Sequence, residues 1–305
     1  MTPLLPAGPL LGTLTLLLLV LNTVFWAIPL YVLVLVKLVT PRGALRDRIS
    51  MLASDCAQNW ALCNAWAVEH LLRVDLDVRF ETEVHRRGQY LVCCNHQSWN
   101  DITVLMCAFG RRAPFFKFFL KRQLIWVPVL GLAWWGLDYP FMSRYTRQQI
   151  EKNPALKGRD LEATRRACEA FARQPVLVLN FLEGTRYTAA KHAQQASPYR
   201  HLLKPKSGGF AFALGAMGER LDGILDVTIA YPDGAREQWD FLCGRVRRVR
   251  VAVQAARLPE GLQAQLSEGG YDQDPAVRAR FNQWIAELWA AKDQQLTRML
   301  QGPAA

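Results

Sequence analysis

Hydrophobic positions crowd together at one end of the chain before they begin to alternate. No charged side chain occurs between Thr2 and Val36, and Leu10 to Val36 is mostly Leu, Val, Ile, Phe and Trp. Such a run belongs in lipid. As one straight helix it would measure roughly 50 Å at about 1.5 Å per residue, against a hydrocarbon layer of about 30 Å. It must therefore tilt, break or turn back. Asn22 and Pro29 offer break points, so a single tilted span and a re-entrant two-helix hairpin both fit. A secretory signal would carry positive charge before a shorter apolar stretch, whereas here the first charge, Lys37, follows the run. Residues 1–40 thus read as a retained anchor. Lys37, Arg42, Arg46 and Arg48 place residues 41–305 on the cytoplasmic side by the positive-inside rule.

Past residue 40 the periodicity switches repeatedly between helix and strand. Helical spacing runs through 46–72, 101–109, 161–173 and 275–299. Strand-like runs cover 74–84, 90–94, 115–119, 176–181, 226–231 and 245–253, and 191–198 reads as an exposed loop. Strands alternating with helices predict an α/β body. No internal repeat or Gly, Pro and Ser-rich linker divides it, so one anchor and one catalytic-sized domain is the economical reading.

Composition narrows the class. With 37 Lys and Arg against 26 Asp and Glu the formal net charge is +11, and 51% of the 305 residues are hydrophobic, which excludes disordered and low-complexity proteins. The seven cysteines form no CxxC pair, so neither a disulfide framework nor a zinc cluster is suggested. Cys93 and Cys94 alternate faces within an apolar strand and read as buried thiols. No GxSxG elbow, Walker loop or dinucleotide loop occurs, and the other histidines lack ligand spacing, so no metal or cofactor is expected.

The most informative run is Asn95-His96-Gln97-Ser98-Trp99-Asn100-Asp101, where a strand gives way to a helix. Five residues of helix rotate about 140° past a full turn, so His96 and Asp101 meet only across a turn. That geometry suits a general base and the carboxylate that fixes its tautomer. A packed histidine beside a helix-capping aspartate is the plain alternative.

The run resembles the NHxSxxD block of the glycerolipid acyltransferases, and Phe181-Leu182-Glu183-Gly184-Thr185-Arg186 resembles their F-[PL]-E-G-T-R block. Gly136 to Arg144 is similar to the family's G…FIDR segment, with Ser143 where an Asp is common, and Pro232 matches the proline of a fourth block. The resemblance covers roughly residues 85 to 235 and is best to the 1-acyl-sn-glycerol-3-phosphate (lysophosphatidate) acyltransferase group. Its FLEGTR form resembles a branch shared by bacterial inner-membrane members and eukaryotic long-chain lysophospholipid acyltransferases. It implies a mixed sheet flanked by helices, a cytoplasmic face of the bacterial inner membrane, and acyl transfer to a lysophospholipid. The donor would be acyl-CoA or acyl carrier protein, a substrate rather than a cofactor. His96 and Asp101 would be catalytic. Arg144, Glu183, Gly184, Thr185 and Arg186 would bind phosphate and glycerol, and Lys206 the donor or phosphate. Arginine's planar fork suits the phosphate of such an acceptor, and Gly184 lets backbone approach an oxyanion. Taken alone, Glu183 with Arg186 also fits a salt-bridged turn.

Two basic stretches remain. Lys117, Lys121 and Arg122 interleave with aromatics ahead of Trp126, Trp134, Trp135 and Tyr139, as in an interfacial belt or an apolar core segment. The arginines of 245–250 would suit an anionic membrane, an acidic carrier protein or a nucleic acid. No nucleic-acid motif accompanies them and such a binder has no use for the anchor, so no nucleic-acid partner is expected. A non-catalytic membrane protein is the rival class, and it would not require His96, Asp101, Glu183 and Arg186 together.

Overall fold

The computed structural model describes residues 8–142 and 175–301. Arg144 and the helix predicted over 161–173 lie outside the described residues. The apolar run forms one helix, α1 (Pro9–Val39), which continues through Pro29 without turning back. It is the one helix among the described residues long and apolar enough to cross a membrane, by length and composition. The turn comes after it, and α2 (Ala44–Trp66) returns along it. Asn22 joins the two helices, its Nδ2 donating to the Trp60 carbonyl at 3.0 Å and to Asn64 Oδ1 at 2.7 Å.

Both ends of α1 also touch the α/β body. Near its start the Gly8 amide donates to the Cys243 carbonyl at 3.1 Å, and a Cβ at Gly12 would sit 2.6 Å from Cys243 Sγ. Near its end Lys37 is buried, with Nζ 2.5 Å from Asp138 Oδ2 and 3.1 Å from the Gly136 carbonyl. Lys37 is thus spent on an internal ion pair rather than on the flanking charge cluster. The opposite face of α1 is bare, with Leu21, Phe25, Ile28 and Leu35 exposed.

A π-helical turn (Ala67–Leu72) closes α2 and leads into β1 (Asp75–Phe80). The chain continues through β2 (Gln89–Cys94), α3 (Asp101–Phe109), β3 (Phe116–Lys117), β4 (Leu120–Lys121), α4 (Leu130–Gly136) and β5 (Phe141–Met142). After residue 174 come β6 (Val176–Phe181), α5 (Ala189–Gln194), α6 (Gly208–Met217), β7 (Gly223–Ala230), α7 (Gln238–Leu242), β8 (Arg248–Ala256), α8 (Leu262–Ser267) and α9 (Pro275–Gln301). Six strands form one mixed sheet in the order β1-β8-β7-β2-β6-β3; only β7 and β8 run antiparallel. The strand expected over 115–119 shrinks to two residues at the sheet edge. The loop expected over 191–198 begins as α5, because Thr188 Oγ1 accepts the Lys191 amide as an N-cap.

Alternation along the central strands supplies a core on each face. Val92, Cys94, Leu177 and Leu179 pack toward α3, while Leu91, Cys93, Val176 and Val178 pack toward α6 and α9. Both cysteines are buried as expected, and burial pushes their thiols well above the ordinary range. The aromatic stretch divides. Trp126 and Trp135 are exposed, but Tyr139 and Lys117 are buried, and burial draws the Lys117 ammonium down to about 8.

Candidate active site

Parallel pairing of β2 with both β6 and β7 brings three strand ends to one edge. Cys94 pairs with Phe181 and with Val227, so the 95–101 turn and the 182–188 loop leave the sheet side by side. The chain goes to one side of β2 for β6 and to the other for β7, the kind of switch point at which open α/β sheets bind ligands. Asn95 locks the turn to β7, accepting from the Ile229 amide and donating to its carbonyl, both at 2.9 Å.

Asp101 opens α3 with no side-chain exposure. Its Oδ2 accepts from His96 Nδ1 at 2.8 Å, from the Gln97 amide at 2.7 Å and from the Ser98 amide at 3.0 Å. Its Oδ1 accepts from the Tyr231 hydroxyl at 2.7 Å. A carboxylate at Nδ1 makes that nitrogen the N–H, which leaves Nε2 with a lone pair. The imidazole stacks on Phe181 with centroids 4.0 Å apart, and the side chain stays 17% exposed.

The 182–188 loop is fastened from several directions. The Tyr187 amide donates to the His96 carbonyl at 2.8 Å, and the Lys206 amide donates to the Leu182 carbonyl at 2.6 Å. Lys191 Nζ donates to Thr185 Oγ1 at 2.7 Å and to the Arg186 carbonyl at 3.0 Å. Gly184 sits at φ +66°, a left-handed conformation, and a Cβ there would meet Lys206 Cδ at 3.1 Å. The Lys206 side chain therefore lies across the glycine. Arg186 Cζ stands 4.1 Å from the centre of the Trp99 ring.

Glu183 departs from the expectation of direct phosphate or glycerol contact. It is fully buried, and its two oxygens accept from the His96 amide at 2.8 Å and the Leu203 amide at 3.0 Å. Burial raises its carboxyl to about 7, against the two amide bonds that favour the charged form. Glu183 ties three loops together. Nor does it pair with Arg186, whose guanidinium makes no ion pair among the described residues.

His96, Asp101, Gly184, Thr185, Arg186 and Lys206 thus gather at one edge of the sheet. Tyr231, Lys191 and Trp99 join them although the sequence assigned them no part; Trp99 lies three residues after the histidine in the first motif, and Tyr231 directly precedes Pro232.

The Acyltransferase family model matches residues 75–232, just over half of the chain, and takes in every one of these groups. The chain belongs to this acyltransferase family. Two relatives show the range within it. "2-acyl-1-lysophosphatidylinositol acyltransferase" of Saccharomyces cerevisiae is 23% identical over 262 residues, covering 70% of this chain and 62% of that protein. "1-acyl-sn-glycerol-3-phosphate acyltransferase 2" of Brassica napus is 28% identical over 181 residues, covering 55% of this chain and 44% of that protein. The acyltransferase chain thus spans less than two thirds of these relatives' lengths. The solved 1-acyl-sn-glycerophosphate (LPA) acyltransferase PlsC of Thermotoga maritima aligns with TM-score 0.48 and 15% identity, over 87% of this chain and 99% of that one.

Proposed function

We propose that this acyltransferase moves a fatty acyl chain from a thioester, acyl-CoA or acyl carrier protein, to the sn-2 hydroxyl of 1-acyl-sn-glycerol 3-phosphate. The observation that carries the reading is the His96 to Asp101 bond beside the Arg186 loop. Nε2 takes the hydroxyl proton as the oxygen attacks the thioester carbonyl. The tetrahedral oxyanion then collapses, the C–S bond breaks, and the imidazolium returns the proton to the thiolate, giving ester and thiol. Asp101 supports the imidazolium in between. Arg186, with Arg144 from outside the described residues, is the candidate phosphate ligand, and Lys206 across Gly184 adds a second cation.

Reacylation of lysophospholipids with larger headgroups is the second reading, favoured by the similarity to the yeast lysophosphatidylinositol acyltransferase. The enzyme would work on the cytoplasmic face of a bacterial inner membrane. There α1 lies in the interface with Trp126 and Trp135, since both of its ends are held by the body.

The test is acyl transfer by purified protein, wild type against His96→Ala, with both donors and with lysophosphatidate, lysophosphatidylglycerol and lysophosphatidylinositol as acceptors. Transfer that falls by at least about 100-fold in a folded His96→Ala supports the reading. Equal transfer by the variant overturns it. Equal turnover of the three acceptors removes the preference for the bare phosphate.

A further inference from the structure

Trp99 is more than half exposed, at 55%, the one exposed residue of the 95–101 turn. Its neighbours Ser98 and Asn100 are buried. Ser98 Oγ donates to the Arg236 carbonyl at 2.9 Å and accepts from the Asn100 side chain at 2.9 Å. The backbone on both sides of the indole is thus fixed, and the ring is held outward by the same turn that delivers His96. Across from it the Arg186 guanidinium lies over the indole ring, its carbon 4.1 Å from the ring centre. Among the described residues that guanidinium has no carboxylate or hydrogen-bond partner, while Lys191 grips the Arg186 carbonyl.

Stacking and hydrogen bonding use different parts of a guanidinium. A guanidinium laid over an indole gives up one π-face and keeps its in-plane N–H donors for an anion. A carboxylate partner would hold the arginine equally well but would consume those donors and oppose the incoming charge.

We propose that Trp99 is a positioning residue: its indole face orients Arg186 so that the guanidinium edge meets the acceptor's phosphate. This rests on the reading of Arg186 as a phosphate ligand.

Steady-state kinetics in mixed micelles test it, using full-length protein, lysophosphatidate as acceptor and long-chain acyl-CoA or acyl carrier protein as donor. Trp99→Leu keeps apolar bulk and removes the π-face; it is expected to raise the acceptor KM about 3- to 30-fold while the donor KM stays put. Trp99→Phe is expected to recover most of that loss. In an Arg186→Met background, Trp99→Leu is expected to add almost nothing. An unchanged acceptor KM in Trp99→Leu overturns the inference, as does a full-sized effect without Arg186. So does loss of binding to phosphatidylcholine vesicles containing phosphatidylglycerol that accounts for the whole defect, which would assign the ring to the membrane. These outcomes leave the proposed function standing if His96→Ala is inactive. Undiminished transfer by His96→Ala, or none by wild type, overturns the reading and the inference with it.

Discussion

Asp101 has no spare oxygen, with one on the imidazole and two backbone amides and the other on Tyr231. Such a group holds the imidazole in one orientation and does not itself leave its place. Glu183 is the second buried carboxyl at this edge, and its neutral form is favoured in the fold, with a pKa near 7 because of burial. In the unfolded chain it loses its proton near the ordinary carboxylate value, so between about pH 4.5 and 7 the native state holds more protons. Stability from this group is therefore full below that window and is lost as pH rises through it, by at most about 3 kcal/mol. Glu183→Gln does not titrate, but turns an amide toward one backbone N–H donor. Its deficit in urea unfolding is expected to be larger at pH 5 than at pH 8. A deficit that grows with pH would mean that the two amide bonds outweigh burial. The histidine and both carboxyls stand in the two motifs and were legible there. Burial of Glu183 and the reach of Tyr231 were not, because both depend on how distant strands align.

The elements themselves followed the periodicity well where one face is apolar. Helix α3 has the bounds predicted, 101–109, and α9 covers 275–301 against 275–299. Periodicity failed where an element owes its existence to a cap or to an edge, as in α5 and β3. Periodicity also carries no sign of Lys292 on α9, whose ammonium the structure buries completely. Lys292 pairs with Asp226 of β7 and donates to the Val227 carbonyl at 2.6 Å and to Thr228 Oγ1 at 3.2 Å. Burial draws the ammonium down, yet Asp226 and the nearby thiols more than offset this and leave it raised. The pair pins α9 to the strand that delivers Tyr231 to Asp101. Lys292→Met strands a buried carboxylate and is expected to cost about 3–5 kcal/mol in urea unfolding. Adding Asp226→Leu removes the orphaned charge, so the double variant is expected to recover most of the loss. If the double variant stays as unstable as the single one, the pair's value lies in the backbone bonds of Lys292 instead.

At the scale of the molecule, the placement of α1 decides how the enzyme meets lipid. Its 31 residues extend about 46 Å at about 1.5 Å per residue, longer than the hydrocarbon layer. Its first turns nonetheless touch Cys243 and its last turns touch Gly136 and Asp138. A helix crossing the bilayer leaves one end on the far side, away from the body, whereas a helix lying in the interface keeps both. Composition alone permits either arrangement, because it reports only how apolar the segment is. Disulfide trapping in native membranes separates them. Gly12→Cys would place a thiol against the native Cys243, since a Cβ at that position lies 2.6 Å from its sulfur. At the other end a Cβ at Gly136 would touch the Val34 side chain at 2.3 Å, so Val34→Cys with Gly136→Cys forms the second pair. Mild oxidation is expected to close each bridge in the separate variants, and both in one chain carrying all three substitutions, with acyl transfer retained. Closure of only one bridge in membranes, with both closing in detergent, would mean that α1 swings away from the body to span the bilayer. That outcome would also overturn the proposed interfacial seat of α1 beside the exposed Trp126 and Trp135.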